Sequence, residues 1–205
     1  MVPVLETARL HLRDWRDEDV EAWVRMNADI KVREFFPNVA TRAESLDAAD
    51  RLRTGLQRDG YGWWVLAAKD DDAFAGAIAL QAVPFEARFT PAYEIGWRLR
   101  VDAWGRGYAS EGAAAVMQFA FDRLQLASVV ALTAAINLRS RAVMQRLGMT
   151  YDPGDDFEHP RLAAGDRLRH HVLYRATRPP SWHTATLSSD DERRTAPFRG
   201  TGPTL

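Results

Sequence analysis

Cysteine is absent from all 205 residues, which excludes disulfides, thiolate metal sites and cysteine nucleophiles and argues against redox chemistry. The same absence suits a reducing compartment, and a cytoplasmic protein is expected. Long apolar runs are lacking too. No stretch reaches the roughly eighteen residues of a membrane span, and no apolar signal core follows Glu6 and Arg9, so neither membrane nor export is expected. Charge of one sign is not in excess: 27 basic and 28 acidic residues are interspersed for a formal net charge of −1, and no basic stripe points to nucleic acid. Metal-ligand spacing is missing as well. Glu158, His159 and His171 carry suitable side chains, but neither H-x-x-x-H nor H-E-x-x-H occurs, and no metal is expected.

What is present is a substantial apolar fraction, 46% of residues with seven tryptophans, enough to bury one sizeable core. Composition divides the chain into a domain over residues 1–176 and a tail over 177–205. The tail is rich in Pro, Ser and Thr, without periodicity, and reads as flexible, with Trp182 and Phe198 isolated in it. A dimer partner could hold those two rings, so a homodimer is left open.

Alternation over Thr7–Trp15, with Leu10 and Leu12 on one face and His11 and Arg13 on the other, predicts a first strand. Acids at the start of Asp17–Asp29 favour a helix dipole there. Thr41 with Glu44 makes a capping box for a second helix, whose inward stripe is expected to be Leu46, Ala49, Arg53 and Leu56 and whose end is Gly60. Tyr61–Lys69 and Phe74–Val83 read as a hairpin, and Ala92–Arg100 as a further strand with Ile95, Trp97 and Leu99 opposite Glu94 and Arg98. A helix over Ala109–Leu124, the apolar run Ser128–Ala135, a short helix stopped by Gly148, and a last strand Leu168–Ala176 complete a mixed α+β reading. Strand, helix and strand in that order imply a parallel crossover.

The joint at "WRLRVDAWGRGYASEGAA" (Trp97–Ala114) concentrates the chemistry. Where a strand passes into a helix, the first helical amides lack partners and sit at a positive dipole end, so they can bind an anion, phosphate above all. Gly105 and Gly107 would let the backbone curl round such a guest, with Arg106 as an added donor; the same glycines would also serve a bare turn. No G-x-x-x-x-G-K-[ST] loop occurs, and a dinucleotide fingerprint would need glycine where Ser110 stands. Neither nucleotide fold fits.

From about Thr7 to Tyr174 the chain resembles the GNAT superfamily of acyl-CoA N-acetyltransferases. The pyrophosphate loop of that superfamily, [QR]-x-x-G-x-[GA], matches "WGRGYA" (Trp104–Ala109), with tryptophan in the first position. The pairing of "EIGW" with "WGRGYASE", and of "AINLRSRAVMQRLGM" with an N-x-x-S helix ended by Gly148 and Met149, resembles the branch of ribosomal-protein N-terminal acetyltransferases. The resemblance implies a central twisted, mainly antiparallel sheet with a V-shaped splay, flanked by helices. It implies acetyl-CoA as co-substrate and a primary amine, small or at a peptide N-terminus, as acceptor.

By that resemblance Trp104 and the amides of Gly105, Arg106, Gly107, Tyr108 and Ala109 hold the pyrophosphate, and backbone groups near Leu99 and Arg100 pair with the pantetheine arm like an added strand. Asn137 bonds the pantetheine region or caps the helix before Leu138, or does both. Transfer needs a base for the amine, a donor for the oxyanion and an acid for the thiolate. Glu94, on the strand leading to the thioester, is the base candidate, and a cross-strand charge pair is its alternative. The N–H near Leu99 is the oxyanion donor. Many members carry a tyrosine seven residues after the asparagine, but Met144 stands there, so Ser140 becomes the candidate acid, or else a hydroxyl bonded to its own backbone or to the cofactor without proton transfer. The resembling branch lines its acceptor pocket with positions that here are Phe35, Phe36, Tyr61, Trp63 and Trp64, near Arg33. His170 and His171 must face opposite ways, and packing is the simpler role for the inward one. A non-catalytic acyl-CoA sensor and a module that docks a partner through the tail are the alternative functions.

Overall fold

The computed structural model describes residues 1–178; of the expected tail over 177–205, Thr177 closes the last strand and the part beyond Arg178, with Trp182 and Phe198, lies outside the described residues. Thirteen regular elements follow one another: β1 (Leu5–Glu6), β2 (Leu10–Arg13), α1 (Asp17–Asn27), α2 (Arg42–Asp59), β3 (Trp63–Ala68), β4 (Phe74–Ala82), β5 (Tyr93–Leu99), α3 (Tyr108–Asp122), β6 (Ser128–Ala134), α4 (Leu138–Arg146), β7 (Thr150–Tyr151), β8 (Phe157–Glu158) and β9 (His170–Thr177).

Local chemistry sets the helix ends. The Thr41 hydroxyl accepts from Glu44 N at 3.2 Å while Glu44 accepts from Thr41 N at 2.8 Å, and α2 stops at Gly60 in the left-handed region. Asp19 in the first turn of α1 accepts from Arg16 N at 2.7 Å and pairs with Arg13 at 2.7 Å. Arg13 was expected on a polar strand face, yet it is buried, because α1 covers that face and brings Asp19 to it. The inward stripe of α2 also differs from expectation. Leu46 is exposed and Ser45 faces inward, where its carbonyl accepts the Trp23 indole N–H at 3.2 Å. A small residue there lets the larger ring of α1 reach the backbone.

All strands join one sheet in the order β1-β2-β3-β4-β5-β6-β9-β7, with β8 also on β9. Pairing is antiparallel except between β5 and β6, the parallel crossover through α3. β4 and β5 stay in register from Gly76↔Leu99 to Ala82↔Tyr93, whereas β5 and β6 are bridged only at Glu94↔Val130. Beyond that bridge the two strands diverge. The sheet therefore splits into a V whose mouth lies at the C-terminal ends of β5 and β6.

Register assigns the two faces. Leu12, Leu66, Trp64, Ile78 and Leu80 stand across from one another and continue to Ile95, Trp97 and Leu99. α3 packs on this face, with Phe119 5.5 Å from Trp64 in an edge contact. The opposite face carries Arg13, Trp63, Ala77, Ala79, Gln81, Glu94, Gly96 and Arg98 and takes α1, whose Trp23 meets Trp63 at 6.1 Å. Both faces are thus covered near the middle of the sheet, which is why β3 and β4 are buried almost throughout.

Candidate active site

At the end of β5 a short 3-10 turn, Val101–Ala103, leads to Gly105 (φ 74°) and Gly107 (φ 80°), the latter capping α3 without any side-chain hydrogen bond. Both glycines are required by their left-handed dihedrals rather than by crowding. A Cβ at Gly105 would meet nothing within 4 Å, and one at Gly107 would meet only Arg9 Nη2 at 3.4 Å. The first amide bonded back into α3 is Glu111 N, to Gly107 O at 3.0 Å. The amides of Tyr108, Ala109 and Ser110 precede it, at an uncapped positive helix end in open space. That donor set fits a diphosphate. Trp104, Gly105, Gly107, Tyr108 and Ala109 line one cleft, whereas the Arg106 side chain is exposed and lies outside its wall.

Two further contacts fix this helix end. A Cβ on Gly112 would fall 2.8 Å from Leu66 Cδ1, so the missing side chain lets α3 settle on the sheet. Glu111 accepts from the Thr7 hydroxyl at 2.6 Å and from Arg9 Nε at 2.7 Å. These bonds tie the helix to the N-terminal hairpin. They hold its carboxyl below the usual range despite partial burial, which works the other way.

The alternation of an antiparallel ladder shows which amides face the splay. Arg100 N donates to Ala75 O at 3.0 Å; stepping back by two, Arg98, Gly96 and Glu94 also bond β4, and Ile95, Trp97 and Leu99 turn toward β6. Past the Glu94↔Val130 bridge, the Trp97 and Leu99 amides therefore open into the V. Arg100, expected beside Leu99 as a backbone partner of pantetheine, is not available. Its N–H is spent on Ala75, its carbonyl accepts Ala103 N at 3.0 Å, and its side chain holds Phe74 O and Asp102. The Leu99 carbonyl takes the Trp104 indole N–H at 3.0 Å, which leaves the Leu99 N–H as the free group. Trp104, unusual at its loop position, thus staples the loop to the strand and carries Arg139 over its ring at 4.8 Å. Gly76 faces Leu99 so closely that a Cβ would be 2.4 Å from Arg98 O.

The other arm of the V delivers α4. Asn137 accepts from Ser140 N at 3.2 Å and donates to Thr133 Oγ1 at 2.9 Å and to Ser140 Oγ at 3.1 Å. Its cap role is fully engaged. The Ser140 hydroxyl accepts there and has a hydrogen of its own to donate, and both residues line the cleft. Met144 is 1% exposed and closes the inner wall.

The cleft has a volume of about 930 Å³. Phe35, Phe36 and Trp63 line it, with Ala79 and Gly96 as a small-residue floor. Trp64 does not join them. It is fully buried on the α3 face, its indole donating to Pro3 O at 3.0 Å, because neighbours in a strand point opposite ways. Tyr61 pairs with Tyr93 at 3.5 Å outside the cleft wall, and burial pushes its hydroxyl pKa up. Burial raises Glu94 to about 7, partly offset by a hydrogen bond from Gln81, whose carbonyl takes the Trp63 indole N–H at 2.9 Å.

His171 lines the cleft and is pushed down to about 4 by burial, then by His159, its ring neighbour at 4.8 Å. His170 is exposed against Glu158 at 3.2 Å. Glu158 is thereby turned from the other two residues of the metal set, and among the described residues no cluster of three or more His, Asp or Glu side chains is placed to hold a metal. Sequence reasoning gave no role to Arg98. It enters the cleft beneath the aromatic wall, and burial followed by Arg33 lowers it to about 9. Its signal was already there: a charged residue on the same strand face as Glu94, two steps from glycine.

Residues 9–150 match the model of an acetyltransferase (GNAT) domain. An FsC-acetyl coenzyme A-N(2)-transacetylase of Aspergillus fumigatus is 34% identical over 158 residues, 73% of this chain and 66% of that protein. Our chain thus spans somewhat under two thirds of that relative's length. Among solved structures, a GNAT-family acetyltransferase from Bacillus anthracis superposes with a TM-score of 0.70 at 21% identity, covering 85% of this chain and 98% of that one. RimL, a ribosomal L7/L12 alpha-N-protein acetyltransferase solved with coenzyme A, gives 0.68 at 19% identity, with 85% and 98% covered. At these identities the likeness is one of fold. The chain belongs to the GNAT acetyltransferase family.

Proposed function

We propose that this enzyme acetylates a primary amine by direct transfer from acetyl-CoA, both substrates being bound at once. The α3 amides and the glycine loop hold the diphosphate; the Trp97 and Leu99 amides lie along the pantetheine arm. The acceptor amine enters between Trp63, Phe36 and Glu94. Glu94 takes the proton from the amine, directly or through one water. As the C–N bond forms, the Leu99 N–H stabilises charge on the thioester oxygen. When the C–S bond breaks, Ser140 passes a proton to the departing thiolate and takes one from solvent in the same step.

One observation carries this reading: a single cleft joins the unpartnered amides of the α3 N-terminus to the open edge of β5 and to Glu94. Small-molecule amines and peptide N-termini both remain acceptors by chemistry. The Aspergillus relative is named for transfer to an N(2) position and RimL for an alpha-N-protein position, both of them nitrogen. The test is calorimetric titration with acetyl-CoA followed by a thiol-release assay against amines and N-terminal peptides. Saturable binding with CoA release in the presence of an acceptor is expected. Binding without release from any acceptor would favour a sensor, and no saturable heat would overturn the cofactor site.

A further inference from the structure

Arg98 projects into the acceptor side of the cleft as a cation without a counterion among the described residues. Its guanidinium lies 4.4 Å from the Phe36 ring centroid, 5.1 Å from Trp23 and 5.6 Å from Trp63. Its single hydrogen bond runs from Nη1 to Asn27 Oδ1 at 2.6 Å. Asn27 is itself buried and oriented by donating to Trp23 O at 2.9 Å, so the guanidinium is held in place from behind. Nε is sealed from solvent without an acceptor, and Nη2, which is not sealed, makes no hydrogen bond among the described residues. No carboxylate pairs with Arg98 there, whereas a second cation, Arg33, lies 4.2 Å from the same Phe36 ring.

Aromatic faces compensate part of a buried charge. A guanidinium with unused donors and no anion is otherwise strongly disfavoured in such surroundings. The fold keeps it at a cleft wall, and Lys31 adds a further positive charge to the lining. The carboxylate of the cleft, Glu94, stands on the same strand face four residues away, about 13 Å along β5 at about 3.3 Å per residue. Between the two lie only Gly96 and the floor residue Ala79.

Resting on the transfer reading above, we infer that the acceptor is a primary amine that also carries a carboxylate, the amine directed to Glu94 and the carboxylate bound by Arg98. Arg98 is then the residue that selects the acceptor. A guanidinium recognises a planar carboxylate through parallel N–H donors, and a neutral amide in its place would leave those donors unmatched. The source of such a group is a small amino acid or the N-terminus of an acidic peptide; the chemistry at Arg98 is common to both.

The experiment compares acids with their carboxamides. One arm is the series from glycine to 6-aminohexanoate, each against its carboxamide. The other is Ala-Asp-Phe-amide against Ala-Asn-Phe-amide. In the wild-type enzyme one arm should show the acid preferred by roughly ten- to a hundredfold in kcat/KM, and that arm names the source. Arg98→Met, which keeps the apolar stem against the three rings, should raise KM for the acid, abolish the preference, and leave acetyl-CoA affinity near wild type. Equal use of acid and amide throughout, or a preference that survives in Arg98→Met, would overturn the inference.

Failure of the transfer reading is separable. If no acceptor releases CoA, calorimetric titration of the acetyl-CoA-saturated protein with glutarate decides. Binding to wild type and not to Arg98→Met supports the carboxylate site without the transfer, and binding to neither removes it.

Discussion

Glu94 shows how little a residue's type decides by itself. On an exposed strand face it would titrate near 4.5, but here burial raises it to about 7, the range where a base accepts a proton readily at neutral pH. Activity should therefore rise with pH through about 7. Glu94→Gln should lose about 100- to 10,000-fold in kcat and show no such limb when pH profiles are compared. The same shift bears on stability with the opposite sense. A carboxyl whose folded pKa is raised favours the fold in its protonated form, so its contribution is full below about 4.5 and lost as pH rises through about 7. Denaturant midpoints should show wild type losing ground to Glu94→Gln over that window.

Ser140 receives a hydrogen bond from Asn137 and keeps its own proton to give. Ser140→Ala should lower kcat by about tenfold or more while the calorimetric affinity for acetyl-CoA stays within about twofold, since the cap bond runs through its backbone N–H. Unchanged turnover would remove it from the mechanism.

At the scale of elements, the site is the divergence of two strands and the start of one helix. Strand β5 supplies the N–H of Leu99, Glu94 and Arg98 because its register with β4 is kept to Gly76, where the missing side chain allows the backbones to meet. The small residues Ala79 and Gly96 then leave room over the sheet. A Cβ at Gly96 meets only Ala79 Cβ at 3.8 Å, so the backbone tolerates substitution while the cleft does not. Gly96→Leu should fold, bind acetyl-CoA as wild type does, and raise KM for the acceptor by about tenfold or more. A steady-state comparison with binding checks it, and an unchanged KM would place the acceptor elsewhere.

For the molecule as a whole, the cleft belongs to both arms of the V and exists only when they are folded together. Acetyl-CoA at 100 times its Kd should stabilise the protein by about 2.7 kcal/mol and raise Tm by roughly 5 to 10 °C in a melting scan; no shift would speak against a preformed site. Many of the parts behind this site were legible from the chain. The capping box of Thr41 and Glu44, the alternation around Leu10 and Leu12, and the two glycines before α3 are local signals, and each was realised where it was read. Two-residue strands such as β7 and β8 left no such signal. They exist because β9 offers them an edge, and a pattern of period two needs more than two residues to be seen.

By itself the sequence determined periodicity, capping, and the glycine-led joint between strand and helix, because these depend on neighbours within a few positions. Tertiary structure decided which face each strand residue shows and what waits there. Alternation separated Trp63 from Trp64, but only the placement of α1 and α3 sent Trp63 to the cleft and Trp64 into the core. It also spent the backbone of Arg100 on Ala75, buried Arg13 against Asp19, and left Arg98 without an acid among the described residues. Those outcomes are set by contacts between residues far apart in the chain, whose energies no local pattern encodes.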